Sequence, residues 1–267
     1  CGDIEIHSET KTFKAKDGTI IKEGDWISLN GTKGLVYEGS MALVDIDLDK
    51  NVSYKNLMKL VDKTKQIGVR TNAETPSDAG VGLKFGAEGI GLFRTEHMFY
   101  GEGSEEPLFL LRKMIVSKTE EERKTALNEL YKYVKKDVKD TLRVMKGLPV
   151  TIRLLDPPLH EFLPNLEEQL VKVIRAEAAG GASQEDRDLL ATIRSMHEQN
   201  PMLGLRGVRL GLVLPGLFAL QVRAIAEAAC FRQRMGGHPR AEIMIPLVGS
   251  IQELELVIDE AAGVLRE

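Results

Sequence analysis

The sequence predicts an α/β fold, a mostly parallel sheet covered by helices, preceded by a small β-rich module. Three observations carry this expectation. From residue 67 onward, strand and helix signals alternate. Each of those strands is nearly all apolar, as in a sheet covered on both faces. Residues 1–50 instead show short alternating runs split by turn dipeptides.

The elements follow in order. In residues 1–50 the turns fall at Asp17-Gly18, Asn30-Gly31 and Lys33-Gly34. The segment VSYKNLMKLVDKTKQ carries apolar Leu57, Leu60 and Val61, so residues 51–66 read as a helical linker. IGVRTNA is a strand candidate, and Thr75-Pro76-Ser77-Asp78 opens a short helix that Gly86 closes. GIGLFRTE is the next strand, and one long helix follows the loop YGEGSEEP. It holds a capping box at Thr119-Glu120-Glu121-Glu122, has Ala126, Leu127, Leu130, Val134 and Val138 at helical spacing, and ends at Gly147. PVTIRLLD (149–156) is a third strand, and SQEDRDLLATIRSMHEQN is a helix stopped by Pro201. MLGLRGVRL leads to a helix from Leu217 to Met235, then to the strand AEIMIPLV and a helix capped at Ser250-Ile251-Gln252-Glu253. About five strand units result. An open doubly wound sheet and a closed (β/α)8 barrel both satisfy the pattern. The start on Cys1 and the stop inside the helical run IQELELVIDEAAGVLRE lead us to expect an excerpt of a longer protein.

Composition excludes several classes. The 267 residues are 43% hydrophobic and 28% charged with net charge −4, which argues against a nucleic-acid footprint. The longest apolar run, Leu210 to Leu220, is too short to span a bilayer, so no membrane partner is expected. Two distant cysteines, Cys1 and Cys230, argue against a disulfide framework or zinc site and for a cytoplasmic, reducing setting. None of the five histidines shows metal-ligand spacing. His97, just past a strand end, is the one of interest. In GAEGIG no helix follows the glycines, so it is neither a dinucleotide fingerprint nor a Walker A loop. Gly89 and Gly91 read as permitting close backbone packing.

The functional signal lies at the strand ends. GVRT ends on Arg70, GLFRTE on Arg94 and TIRLLD on Arg153 with Asp156, while GLRGVR supplies Arg206 and Arg209. One such arginine is ordinarily salt-bridged or solvated. Several, at the end of the sheet where α/β folds bind ligands, point to a phosphate or carboxylate held by bidentate hydrogen bonds. LDPPLHEFLP (155–164), with two prolines and His160, reads as a stiff loop beside that site.

Together GIGLFRTEHMF, TIRLLDPPLHEFLP, NPMLGLRGVRL and EIMIPLVGS resemble the phosphoenolpyruvate (PEP)-utilising enzymes. LDPPLHEF points to the dikinases among them, with the synthases, enzyme I of the sugar phosphotransferase system, or a non-catalytic barrel fragment as alternatives. The resemblance covers residues 67–267 well and favours the closed barrel, here incomplete. It makes residues 1–50 the end of a swivelling phosphohistidine domain. It implies a phosphotransferase that interconverts ATP, pyruvate and phosphate with AMP, PEP and diphosphate. By this likeness Arg94 and Arg153 hold the phosphoryl and carboxylate groups of pyruvate or PEP, and Arg206 is a further phosphoryl contact. Asp156 orients an arginine, and Arg70 ranks lower. Mg2+ is implied, with its ligands beyond residue 267. The phosphoryl-carrying histidine is not His7, and Cys230 does not match the family's proton-donating cysteine. The excerpt is expected to be inactive alone, with the phosphohistidine domain of the same chain as partner and a homodimer as the full-length state.

Overall fold

The computed structural model describes residues 4–43, 47–48, 50–100, 103–117, 119–156, 162–196 and 204–267. The chain divides into two compact units, Cys1–Gln66 and Ile67–Glu267.

In the first unit Ile4–His7 (β1), Thr12–Ala15 (β2) and Ile20–Lys22 (β3) form an antiparallel sheet in that order, and Ile27–Asn30 (β4) pairs with Leu35–Glu38 (β5) as a hairpin. Asp17-Gly18 turns the chain between β2 and β3, with Gly18 at φ 92° and the Thr19 N–H donating to Asp17 Oδ1 at 3.0 Å. In the β4–β5 turn the Lys33 N–H donates to Asn30 Oδ1 at 3.1 Å. Val52–Thr64 (α1) starts where Asn51 accepts from the Tyr54 N–H.

The second unit is built on a parallel sheet of Thr71–Asn72 (β6), Ile90–Arg94 (β7), Pro149–Arg153 (β8) and Arg240–Met244 (β9), in the order β6-β7-β8-β9. Four strands are found among the described residues of this unit, where about five units are expected. Two readings need correction. Arg70 precedes its strand instead of ending it: β6 spans only Thr71–Asn72, with a register shift between these two residues. Arg206 does not end a strand. It is the N-cap of Gly207–Val213 (α7), since Gly207 at φ 58° turns the chain directly into a helix. Residues 201–203 lie outside the described residues.

The remaining helices are Pro76–Lys84 (α2), Glu105–Val116 (α3), Glu120–Met145 (α4), Leu166–Ala178 (α5), Gln184–Met196 (α6), Leu217–Arg234 (α8) and Ile251–Arg266 (α9). The expected single helix after YGEGSEEP is two, α3 and α4. The break falls at the capping box, where the Glu122 N–H donates to Thr119 Oγ1 and the Thr119 N–H donates to Glu122 Oε2. Pro107 is tolerated because it lies in the first turn of α3. α5 is an addition to the predicted set, capped by Asn165, whose side chain accepts from the Glu167 and Glu168 N–H groups. The helical stripe read in α4 is buried as expected, from Ala126 and Leu127 through Leu130, Val134 and Val138.

The core sets the face available to a ligand. Ile90, Phe93, Val150 and Ile152 are buried in one cluster with residues of α4 and α8. Strand side chains alternate in direction, so Thr151 and Arg153 on β8 are directed to the other face. Gly89 allows the tight β7–β8 contact, since a Cβ there would lie 2.7 Å from the Pro149 carbonyl oxygen.

Candidate active site

At the carboxyl ends of the strands the register places Arg94 beside Arg153 and Arg153 beside Met244. Neighbouring strands run about 4.8 Å apart, so two guanidinium-bearing residues leave the sheet side by side. Each meets a carboxylate. Arg94 Nη1 donates to Glu74 Oε1, from the segment after β6. Arg153 Nη2 donates to Glu96 Oε1, in the 3-10 turn Thr95–Phe99 that directly follows β7.

Asp156 joins the next pair. Its carboxylate is 3% exposed, forms an ion pair with Arg153 Nη1 at 2.9 Å and accepts from Arg206 Nη2 at 3.0 Å. Arg206 Nε also lies 3.2 Å from Asp156 Oδ1 and 3.0 Å from the Asp156 carbonyl oxygen. Gly207 makes this approach possible. A Cβ there would come within 3.0 Å of Asp156 Oδ1 and 2.9 Å of the Pro246 carbonyl oxygen. The loop after β9 closes against the same point, because Pro246 accepts from the Val208 N–H at 2.9 Å.

Of the residues singled out in the sequence, Arg153, Arg206 and Asp156 thus converge in one cluster, with Arg94 beside them. Arg70 belongs to a different tier. Its Nη1 reaches Glu242 Oε2 at 2.5 Å and Thr151 Oγ1 at 3.1 Å, two residues before the strand ends at Arg153 and Met244. Hydrogen bonding from Arg70, then from Thr151, lowers the pKa of Glu242 below the usual carboxylate range, and Glu242 raises that of Arg70. His97 Nε2 lies 3.8 Å from Glu74 Oε1. Pro157, Pro158 and His160 of the stiff loop lie outside the described residues, as does His197.

Sequence reading did not find the acids Glu74, Glu96 and Glu242, or Gln221 on α8. Gln221 Oε1 accepts from the buried Leu155 N–H at 2.9 Å and lies 3.3 Å from Thr95 Oγ1. A signal for it exists: a lone amide at a core position of LFALQVRAIAEAA, one turn after Leu217 and one turn before Ile225. Among the described residues no group of three acids, histidines or cysteines stands ready for a metal ion.

A cluster of arginines positioned by buried acids at the end of a parallel sheet can hold a small polyanion and stabilise charge that develops on it. The model of the PEP-utilising enzyme, PEP-binding domain matches residues 49–266. The chain belongs to the PEP-utilising enzymes. Within this family it is 43% identical to pyruvate, phosphate dikinase of Giardia intestinalis over 267 residues, covering 98% of this chain and 29% of that protein. It is 44% identical to the chloroplastic pyruvate, phosphate dikinase of Flaveria trinervia over 99% of this chain and 27% of that protein. The enzyme of Clostridium symbiosum is 41% identical over 100% of this chain and 29% of its own length. This PEP-utilising chain therefore spans less than a third of the length of these curated relatives.

Proposed function

We propose that this chain is the PEP- and pyruvate-binding portion of a pyruvate, phosphate dikinase, which interconverts ATP, pyruvate and phosphate with AMP, PEP and diphosphate through a phosphohistidine. The observation that carries the reading is the convergence of Arg153 and Arg206 on buried Asp156, with Arg94 on the adjoining strand. In this reading Arg94 and Arg153 grip the phosphoryl and carboxylate groups, and Arg206 adds a second phosphoryl contact. Asp156 fixes the planes of the Arg153 and Arg206 guanidiniums. Arg70 supports the sheet below them.

The chemistry asks for this arrangement. Phosphoryl transfer spreads negative charge over the equatorial oxygens, and fixed cations are the main protein contribution. The Mg2+ implied by the family would act as a Lewis acid. It is assigned no ligand here, because the acids of the cluster are engaged by arginines and no three stand together among the described residues.

The proposal extends to the rest of the enzyme. The parallel sheet is part of a (β/α)8 barrel, and the β-rich unit is the end of the swivelling phosphohistidine domain that delivers the phosphoryl group. The complete enzyme is a homodimer in a reducing compartment, the cytoplasm. No single helix among the described residues is long and apolar enough to cross a membrane.

The test is Arg153→Ala in the complete enzyme. Removing one fixed cation is expected to lower pyruvate phosphorylation by about 100- to 1,000-fold, while the partial reaction at the distant nucleotide site survives. Equal loss of both would make Arg153 a structural residue and sink the assignment.

A further inference from the structure

We propose that Gln221 is a positioning residue that locks the two arginine-bearing strand ends into one geometry, an inference that rests on the anion-site reading above. Gln221 is 3% exposed on a helix face otherwise made of Leu217, Phe218, Ala224, Ile225 and Ala228. A buried amide is costly unless its groups are paired. Here they are paired across three elements. Nε2 donates to the Leu217 carbonyl at 3.1 Å, while Oε1 accepts from the Leu155 N–H at 2.9 Å and faces Thr95 Oγ1 at 3.3 Å. The orientation of the amide is fixed by chemistry, since the reverse would set its N–H2 against the Leu155 N–H. Thr95 Oγ1 also lies 3.1 Å from the Arg153 carbonyl oxygen.

The placement of these partners gives the network its role. Thr95 is flanked by Arg94 and Glu96, Leu155 precedes Asp156, and the Arg153 carbonyl carries the arginine that Glu96 and Asp156 hold. One side chain from a helix behind the sheet thereby ties the turn after β7 to the segment after β8. It sets the spacing between Arg94 and Arg153 without touching the ligand.

The experiment uses the complete enzyme. Gln221→Met keeps the side-chain length and removes the amide. It is expected to lower kcat/KM for pyruvate about tenfold to a hundredfold, as small misplacements of binding groups do, and to leave the nucleotide half-reaction at the wild-type level. In an Arg153→Lys background the same substitution should cost less than about threefold, because it acts through a guanidinium already lost. Thr95→Val cuts the network at its other end, should show the same selective loss, and decides the matter if Gln221→Met does not fold. Wild-type pyruvate phosphorylation in either folded variant overturns the proposal. So does equal damage to both half-reactions, or full additivity with Arg153→Lys. If Arg153→Ala itself leaves pyruvate phosphorylation intact, the anion-site reading fails instead.

Discussion

Asp156→Asn removes the negative charge shared by two guanidiniums and keeps the side chain's shape. The carboxylate pairs with Arg153 Nη1 at 2.9 Å and accepts from Arg206 Nη2 at 3.0 Å, with 3% exposure against 18% and 14% for the arginines. At an effective dielectric of about 20, each contact is worth about 5.5 kcal/mol of gross attraction. Desolvation cancels much of that, and breaking a buried pair by removing one partner typically costs about 3–5 kcal/mol. Arg153 keeps Glu96, and Arg206 keeps the Asp156 backbone carbonyl, so the lower end applies, about 3 kcal/mol. For a unit of this size that corresponds to a fall of about 6–12 °C in the midpoint of its transition. Added inorganic phosphate should restore part of this loss, because a dianion replaces the missing charge, and should therefore raise the midpoint more in the variant than in the wild type. Calorimetry of the complete enzyme, following the transition of this unit with and without phosphate, reads both effects. An unchanged midpoint would refute the buried-charge argument, and equal phosphate protection of both proteins would refute the anion site.

Two further outcomes follow from the same geometry. The folded-state pKa of Glu242 lies below its ordinary 4.5 because of Arg70 and then Thr151, so its stabilisation is complete above that value and is lost as pH falls through the folded pKa. With its side chain 43% exposed the effect is under about 1 kcal/mol; the stability gap between wild type and Glu242→Gln in urea should be present at neutral pH and close below 4.5, and a gap that widens on acidification contradicts the assignment. Gly207→Ala should cost at least about 1 kcal/mol for its left-handed backbone, plus the clash with Pro246 and Asp156; thermal denaturation should show the loss together with reduced PEP formation, and a variant normal in both would mean that this approach is not tight.

What the sequence disclosed and what it hid have distinct physical origins. Arg94 and Arg153 were legible because each ends an apolar run, and a charge after four or five buried-type residues marks a strand leaving the core. The helical stripe of α4 was legible by periodicity. Arg206 was legible as a candidate but not as a helix cap, since its direction depends on the positive φ of Gly207. The acids were hidden for a different reason. Glu74 and Arg94 are 20 residues apart, Glu96 and Arg153 are 57, and Arg70 and Glu242 are 172. Such pairs exist only once the strands lie in register. Local pattern says nothing of register between parallel strands joined by long crossovers.

If the cluster binds the proposed anion, its charge balance fits recognition in a chain whose net charge is −4. The ion pairs set Arg94, Arg153 and Arg206 against Glu74, Glu96 and Asp156, so the cluster presents little net field at a distance. Attraction at long range is therefore not what selects the ligand. Each guanidinium carries five N–H donors, and a carboxylate that binds one edge fixes the plane in which the others point. The acids thus give up long-range attraction in return for fixed orientation. A ligand gains from the cluster only when its own oxygens match that orientation over bond lengths of about 3 Å. In the proposed reading, selectivity for a molecule with a phosphoryl or carboxylate group comes from geometry, and the residues that hold the arginines matter as much as the arginines themselves.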